Sequence, residues 1–413
     1  MRVVVGILAL LFCWGAAAQK VDNSTLDRKL ILGYQGWFAC PGDARGRGWD
    51  HWKNGRGEAT VDLLPDVAEL APDELCESGW TARDGKPELV FSSQNARTVD
   101  RHFAWMESYG LDGVGLQKFA LGLLHPDPSG AWARVLANVR AGAAAHGRVY
   151  YVMYDLAGFP ADQIDLVAQD WRRLLEAGVA RDPAYLRHKG RPLLGVVGLG
   201  FSGSAVTPAP AARLLDLLRE VSAPYGGVTI QAIVAADWRE RSAETGWPDI
   251  WRRLDVISAW TVGAFREDAG ADNYRRDRLA PDLDWARENG VDLMPVVFPG
   301  FSWVNLQRAN GHPENAIPNV IPRRCGAFYA HQVANVLGAG AHMIFTAMFD
   351  EVDEGTAMFK LAPKTDDTPM APFFLALDAD GCALASDYYL RLAGAATRAL
   401  RRGAPDFVTT PPR

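Results

Sequence analysis

The stretch Gly110-Leu111-Asp112-Gly113-Val114-Gly115-Leu116-Gln117-Lys118-Phe119 decides how the chain is read. The residues before it, 96–109, space their apolar side chains at helical intervals and stop at a glycine, the residue that suits a helix C-terminus. Three turn-like residues follow, then a nearly continuous apolar run. Such a run has no polar face, so it predicts a strand buried on both sides, as in a parallel sheet covered by helices.

The same unit recurs outward from this point. Predicted helices at 131–145, 162–177, 210–221, 274–288 and 328–337 lead to apolar strands at 149–154, 192–199, 228–235, 293–298 and 343–349. Strands at 30–38 and 256–262 complete a set of eight, and a last helix covers 387–402. Eight strands alternating with helices predict an α/β fold, a single (β/α)8 TIM barrel, with a doubly wound sheet as the alternative. Connections into the strands are short and glycine-bearing, such as Gly338-Ala339-Gly340. Several connections out of them are long: 39–95, 299–320 and 350–385. Long loops on one face mark the C-terminal, functional end of a barrel.

Composition narrows the function. Of 413 residues, 43 are Lys or Arg and 49 are Asp or Glu, a net charge of −6, which argues against a nucleic-acid binder. With 48% hydrophobic and 22% charged residues the chain is ordinary globular material. The 14 Trp are many, and indole faces are what flat ligands stack against.

Residues 1–18 read as a cleavable signal peptide: Met1-Arg2, an apolar run too short to span a bilayer comfortably, then Ala16-Ala17-Ala18. Residues 19–413 are then the barrel domain of a secreted or periplasmic protein. Cleavage removes Cys13 and leaves Cys40, Cys76, Cys325 and Cys382, an even number that permits two disulfides. Cys40 and Cys76 fall in one long loop and are the preferred pair. No zinc-ligand spacing occurs, and no metal or cofactor is expected.

The strongest chemical signal is Phe349-Asp350-Glu351-Val352-Asp353-Glu354-Gly355-Thr356, where an apolar strand runs out. Four carboxylates in five residues repel one another, which raises at least one pKa. One carboxyl then serves as an acid while another serves as a base, the pair that glycosidic cleavage needs. A solvated acidic loop or a calcium site are the other readings. Two aromatic clusters sit after the first strand: Gly33-Tyr34-Gln35-Gly36-Trp37-Phe38 and Trp49-Asp50-His51-Trp52. Gln117, Tyr154-Asp155, Trp260 and Trp303 stand at or just beyond other outgoing strand ends. Gly198-Leu199-Gly200-Phe201-Ser202-Gly203 matches G-x-G-x-x-G, but Pro208 and Pro210 part it from the next helix, against dinucleotide binding.

The segment 349–356 resembles the Asn-Glu-Trp-His-Glu-Gly-Thr signature of glycoside hydrolase family 99, the endo-α-mannosidases. Over roughly residues 28–402 the chain is similar to bacterial proteins described as glycoside hydrolase family 71/99-like. Shared phrases include Gly33 to Phe38, Asp112-Gly113-Val114, Met153-Tyr154-Asp155 and Pro295 to Trp303. The resemblance implies a (β/α)8 barrel acting on α-linked glycosides of a poly- or oligosaccharide. It implies that Glu351 is the base that deprotonates the sugar's own 2-hydroxyl, giving a 1,2-anhydro intermediate, and that Glu354 protonates the leaving group. Asp350, Val352 and Asp353 depart from the signature's Asn, Trp and His. The catalytic expectation is therefore Glu351 and Glu354. The substrate-binding expectation is Tyr34, Gln35, Trp37, His51, Trp52, Gln117, Tyr154, Asp155, Trp260 and Trp303. A carbohydrate-binding barrel without catalysis is the alternative. The expected partner is the saccharide, with no nucleic acid and no membrane span in the mature chain, acting as a monomer.

Overall fold

The structure, a computed structural model, describes residues 20–241, 246–404 and 407. The signal-peptide expectation and Cys13 lie outside these residues. Eight parallel runs make the central sheet: β1 (Leu30–Tyr34), β2 (Gly113–Phe119), β3 (Val149–Asp155), β4 (Arg191–Leu199), β5 (Thr229–Ala235), β6 (Val256–Trp260), β7 (Asp292–Leu293 with Val296–Val297) and β8 (Ile344–Thr346). The pairing order is β6, β5, β4, β3, β2, β1, β8, with β7 at both ends. Its first half pairs with β6, Asp292 opposite Val256, and its second with β8, Val296 opposite Phe345. The break falls at Met294-Pro295, where proline has no N–H to give the ladder. The sheet therefore returns on itself as the expected α/β barrel.

Helices cover the outside. Between β1 and β2 lies α1 (Ala96–Tyr109), between β2 and β3 α2 (Ala131–Ala145), between β3 and β4 α3 (Asp165–Glu176), and between β4 and β5 α4 (Pro208–Ser222). The unit that opened the reading forms as expected. The Asn95 side chain accepts from the Arg97 N–H to start α1, and Gly110, at φ 75°, ends it. The predicted helix 274–288 is a longer, interrupted run from 268 to 289, and β8 is shorter than 343–349.

Side-chain alternation separates two faces on every strand. On β3, Tyr151, Met153 and Asp155 point inward, and the Tyr151 hydroxyl donates to Gln231 Oε1 of β5 (2.6 Å). Tyr150 and Tyr154 point out to the helix layer, where they bond Asp182 and Asp170. The long segment after β1 carries an antiparallel hairpin, Leu75–Thr81 with Pro87–Phe91, where the sequence predicted only loop. Both disulfides form among the described residues: Cys40–Cys76 (Cα–Cα 6.5 Å) and Cys325–Cys382 (6.0 Å). No helix among them is long and apolar enough to cross a membrane.

Candidate active site

The outgoing strand ends converge on a cavity of about 510 Å³. Its walls include Gln35 after β1, Gln117 and Phe119 of β2, Asp155 of β3, Trp260 of β6, and Glu351 and Glu354 after β8. A second cavity of about 380 Å³ adjoins it and shares Gln35, Trp37, Gln117 and Phe119. His51 lines this second space.

The acidic loop is held from several sides. Asp350 is fully buried, and its two oxygens accept the backbone N–H groups of Gln35 and Gly36, each at 2.8 Å. This ties the loop after β8 to the end of β1. Burial nevertheless pushes the Asp350 carboxyl up to about 7, against those two bonds. Gly355 has φ 70°, and a Cβ there would stand 2.7 Å from the Ser302 nitrogen. That close approach lets Ser302 N–H donate to the Glu354 carbonyl (3.0 Å), docking the loop after β7 on the loop after β8. From behind, the buried Arg323 gives Nη2 to the carbonyls of Gly355 and Ala357 and stacks on Tyr389.

Glu351 is buried and accepts from Gln35 Nε2 (2.7 Å) and the Thr356 hydroxyl (2.5 Å). Burial holds its carboxyl well above the ordinary range, with the charges of Glu354 and Asp353 adding to the effect. Glu354 is pushed up to about 7 by burial, then by Asp353 and Asp155. The two glutamates titrate as a pair, because each charge raises the other's cost. Both oxygens of Glu351 already accept hydrogen bonds, so its ionised form is satisfied, whereas no donor to Glu354's side chain occurs among the described residues. Hydrogen bonding thus favours the charge on Glu351 and the proton on Glu354.

Asp155 accepts from Gln117 Nε2 (2.6 Å) and the Ala157 N–H (2.7 Å), and burial pushes it up to about 6. Trp37 stacks on Phe119, and its indole N–H, like Gln35 Oε1, is buried with no partner among the described residues. No cluster of three or more His, Cys, Asp or Glu among the described residues is placed to hold a metal ion.

Gln35, Trp37, His51, Gln117, Asp155, Trp260, Glu351 and Glu354 are thus brought together. The structure places the other four expected site residues away from the two cavities. Tyr34 is fully buried, its hydroxyl on His102 of α1 (2.9 Å). Tyr154 faces α3, since alternation lets only Asp155 of that dipeptide look inward. Trp52 is core, packed on Phe38 and Phe91 with its N–H on the Phe91 carbonyl. Trp303 sits edge-on to Phe301, outside both cavity walls. The reading missed Phe119, Met348, Thr356 and the turn after β4. Gly198 at the end of β4 and Phe201, Ser202, Gly203 and Ser204 of that turn line the larger cavity, so the glycine-rich run belongs to the pocket wall.

No family model matches the sequence, and no curated protein matches it. Solved structures do. The chain is similar to the GH99 endo-α-mannosidase from Bacteroides thetaiotaomicron in complex with Bis-Tris propane, with TM-score 0.65 and 17% identity over 92% of this chain and 98% of that one. A second structure of that enzyme gives 0.62 and 17%, over 92% and 99%. A glycoside hydrolase-like protein gives 0.57 and 12%, over 93% and 97%. At these identities the likeness establishes the fold, an α/β barrel spanning nearly the whole of each chain.

Proposed function

We propose that the protein is an exported glycoside hydrolase that cleaves α-linked bonds in a poly- or oligosaccharide. The observation that carries this reading is the coupled pair Glu351 and Glu354 on the wall of a cavity lined by Trp37, Phe119, Phe201 and Trp260. Aromatic faces suit the C–H faces of sugars, and Gln35, Gln117 and Asp155 supply hydrogen bonds for the hydroxyl rim. The signal-peptide pattern of residues 1–18 supports export, and the two disulfides suit an oxidising compartment.

A carboxyl with pKa about 7 is protonated often enough at neutral pH to donate, and ionised often enough to be reset. Glu354 is the general acid that protonates the departing glycosidic oxygen. Glu351, charged and oriented by Gln35 and Thr356, is the base. In the route the resemblance implies, it takes the proton of the sugar 2-hydroxyl as that oxygen attacks C1. Glu354, now ionised, then takes a proton from the water that attacks C1, while Glu351 returns its proton to O2 as the 1,2-anhydro ring opens, so both carboxyls regain their starting states. The test is digestion of α-mannan, α-1,3-glucan, arabinan and xylan fragments by residues 19–413, read by product mass beside Glu354→Gln. Cleavage of a glycan by wild type alone supports the reading. Binding without any released product across the panel points instead to a carbohydrate-binding barrel.

A further inference from the structure

We propose that Asp62, in the loop after β1, is a positioning residue that fixes the spacing of Glu351 and Glu354. The proposal rests on the glycosidase reading above.

Asp62 lines neither cavity and is fully buried. A buried carboxylate is costly unless its oxygens are hydrogen-bonded, and these are. Oδ2 accepts from the Ser302 hydroxyl (2.6 Å) and the Val304 N–H (2.7 Å), and Oδ1 accepts from the Asn305 N–H (2.9 Å). The three donors belong to the loop after β7, at the start of the short helix Val304–Ala309. Trp303, at the N-cap position of that helix, has no side-chain oxygen to offer its first N–H groups. Asp62 supplies the acceptor instead, from 240 residues back in the chain.

The same residue grips the acidic loop. The N–H groups of Asp62 (3.0 Å) and Leu63 (3.2 Å) both donate to the Val352 carbonyl, on the backbone between the two glutamates. Ser302, whose hydroxyl Asp62 holds, donates its own N–H to the Glu354 carbonyl (3.0 Å). Hydrogen bonds therefore join Asp62 directly to the backbone after Glu351 and, through one residue, to that of Glu354. His51 of the loop after β1 adds a contact, with Nδ1 3.2 Å from Asp353 Oδ2. Residues 352–355 are turn rather than helix or strand, so contacts from the other loops hold their shape. Asp62 is where the loops after β1, β7 and β8 meet.

The experiment compares Asp62→Asn and Ser302→Ala with a control, Asp112→Asn. Asp62→Asn keeps the size but turns an NH2 toward a donor. Ser302→Ala is milder: it removes the hydroxyl shared by Asp62 and the Asn319 N–H but keeps the N–H that binds Glu354. Asp112 is as buried as Asp62 and also accepts a backbone N–H, that of Leu30 (2.9 Å), but at the opposite end of the barrel. On a glycan that wild type cleaves, kcat should fall about 10²-fold in folded Asp62→Asn and about tenfold in Ser302→Ala, as misplacing reacting groups by about 1 Å does. KM should stay within about twofold in both, because Gln117, Asp155 and Trp260 stand on other strands, and the control should keep its kcat within about twofold. A second readout needs no turnover. 13C NMR of glutamate-labelled protein follows both carboxyls, assigned by their loss in Glu351→Gln and Glu354→Gln. The two charges repel, so a changed spacing should move at least one midpoint by about half a pH unit in the test variants and neither in the control. Unmoved kcat and midpoints in Asp62→Asn, or in Ser302→Ala if Asp62→Asn does not fold, overturn the proposal. So does a loss confined to KM, or an equal loss in the control. If wild type cleaves no glycan, the glycosidase reading fails and the midpoints alone judge the positioning.

Discussion

Replacing the general acid with glutamine should cost activity and, above neutral pH, add stability. The folded Glu354 carboxyl has a pKa of about 7 against an ordinary 4.5, because burial and neighbouring acids oppose its charge. A group that binds its proton more tightly folded than unfolded stabilises fully below the unfolded value, and that contribution is lost as pH climbs through the folded one. The gap corresponds to about 3 kcal/mol at full burial, and to about 2 kcal/mol once solvent on the cavity side is allowed for. Glu354→Gln cannot ionise and carries no such loss. It also relieves Glu351 of one repelling charge, which acts in the same direction. Asp350, Glu88 and Asp282 are raised too, to between about 6 and about 7, but they are common to both proteins and cancel in the difference; Asp155, raised to about 6, opposes the Glu354 charge and is relieved with it, in the same direction. Urea midpoints of wild type and Glu354→Gln between pH 4.5 and 8.5 should therefore diverge. The variant should gain about 2 kcal/mol relative to wild type across that range while turnover falls by about 10²–10⁴. Stability curves that stay parallel from pH 4.5 to 8.5 would refute the buried-charge account of Glu354.

Two further substitutions test how the loop is held. Asp350→Asn keeps one acceptor and turns an NH2 toward a backbone N–H, so it should destabilise by about 2 kcal/mol in urea melts and lower turnover by loosening Gln35. Gly355→Ala forces a Cβ against the Ser302 nitrogen at a left-handed backbone position, and should reduce kcat far more than it lowers the melting midpoint, checked by parallel kinetics and thermal unfolding.

The barrel was legible because its strands are buried on both faces and therefore apolar along their length, with glycine closing helices such as α1. The strand ends were not, because apolar residues continue past the ladder. Phe38 and Phe349 extend the runs of β1 and β8, yet both pack in the core beyond the paired residues. The hairpin after β1 escaped notice because its exposed, irregular alternation carries little apolar signal. At the site, the carboxylates declared themselves by crowding. Tyr34 and Tyr154 lie away from the cavities because of period two: each neighbours an inward residue, so each faces the helices. The His51–Asp353 contact could not be read at all, since only the folded chain brings the two loops together.

The most direct test of the central claim compares leaving groups. A substrate whose leaving group departs without protonation, such as a glycosyl fluoride of the sugar identified by digestion, makes the general acid dispensable but not the base. The account predicts that Glu354→Gln releases fluoride in a single turnover at a rate near wild type while remaining defective on the natural glycan, and that Glu351→Gln is defective on both. Wild-type turnover of the natural glycan by either variant would contradict the assignment of these two carboxylates as the catalytic pair.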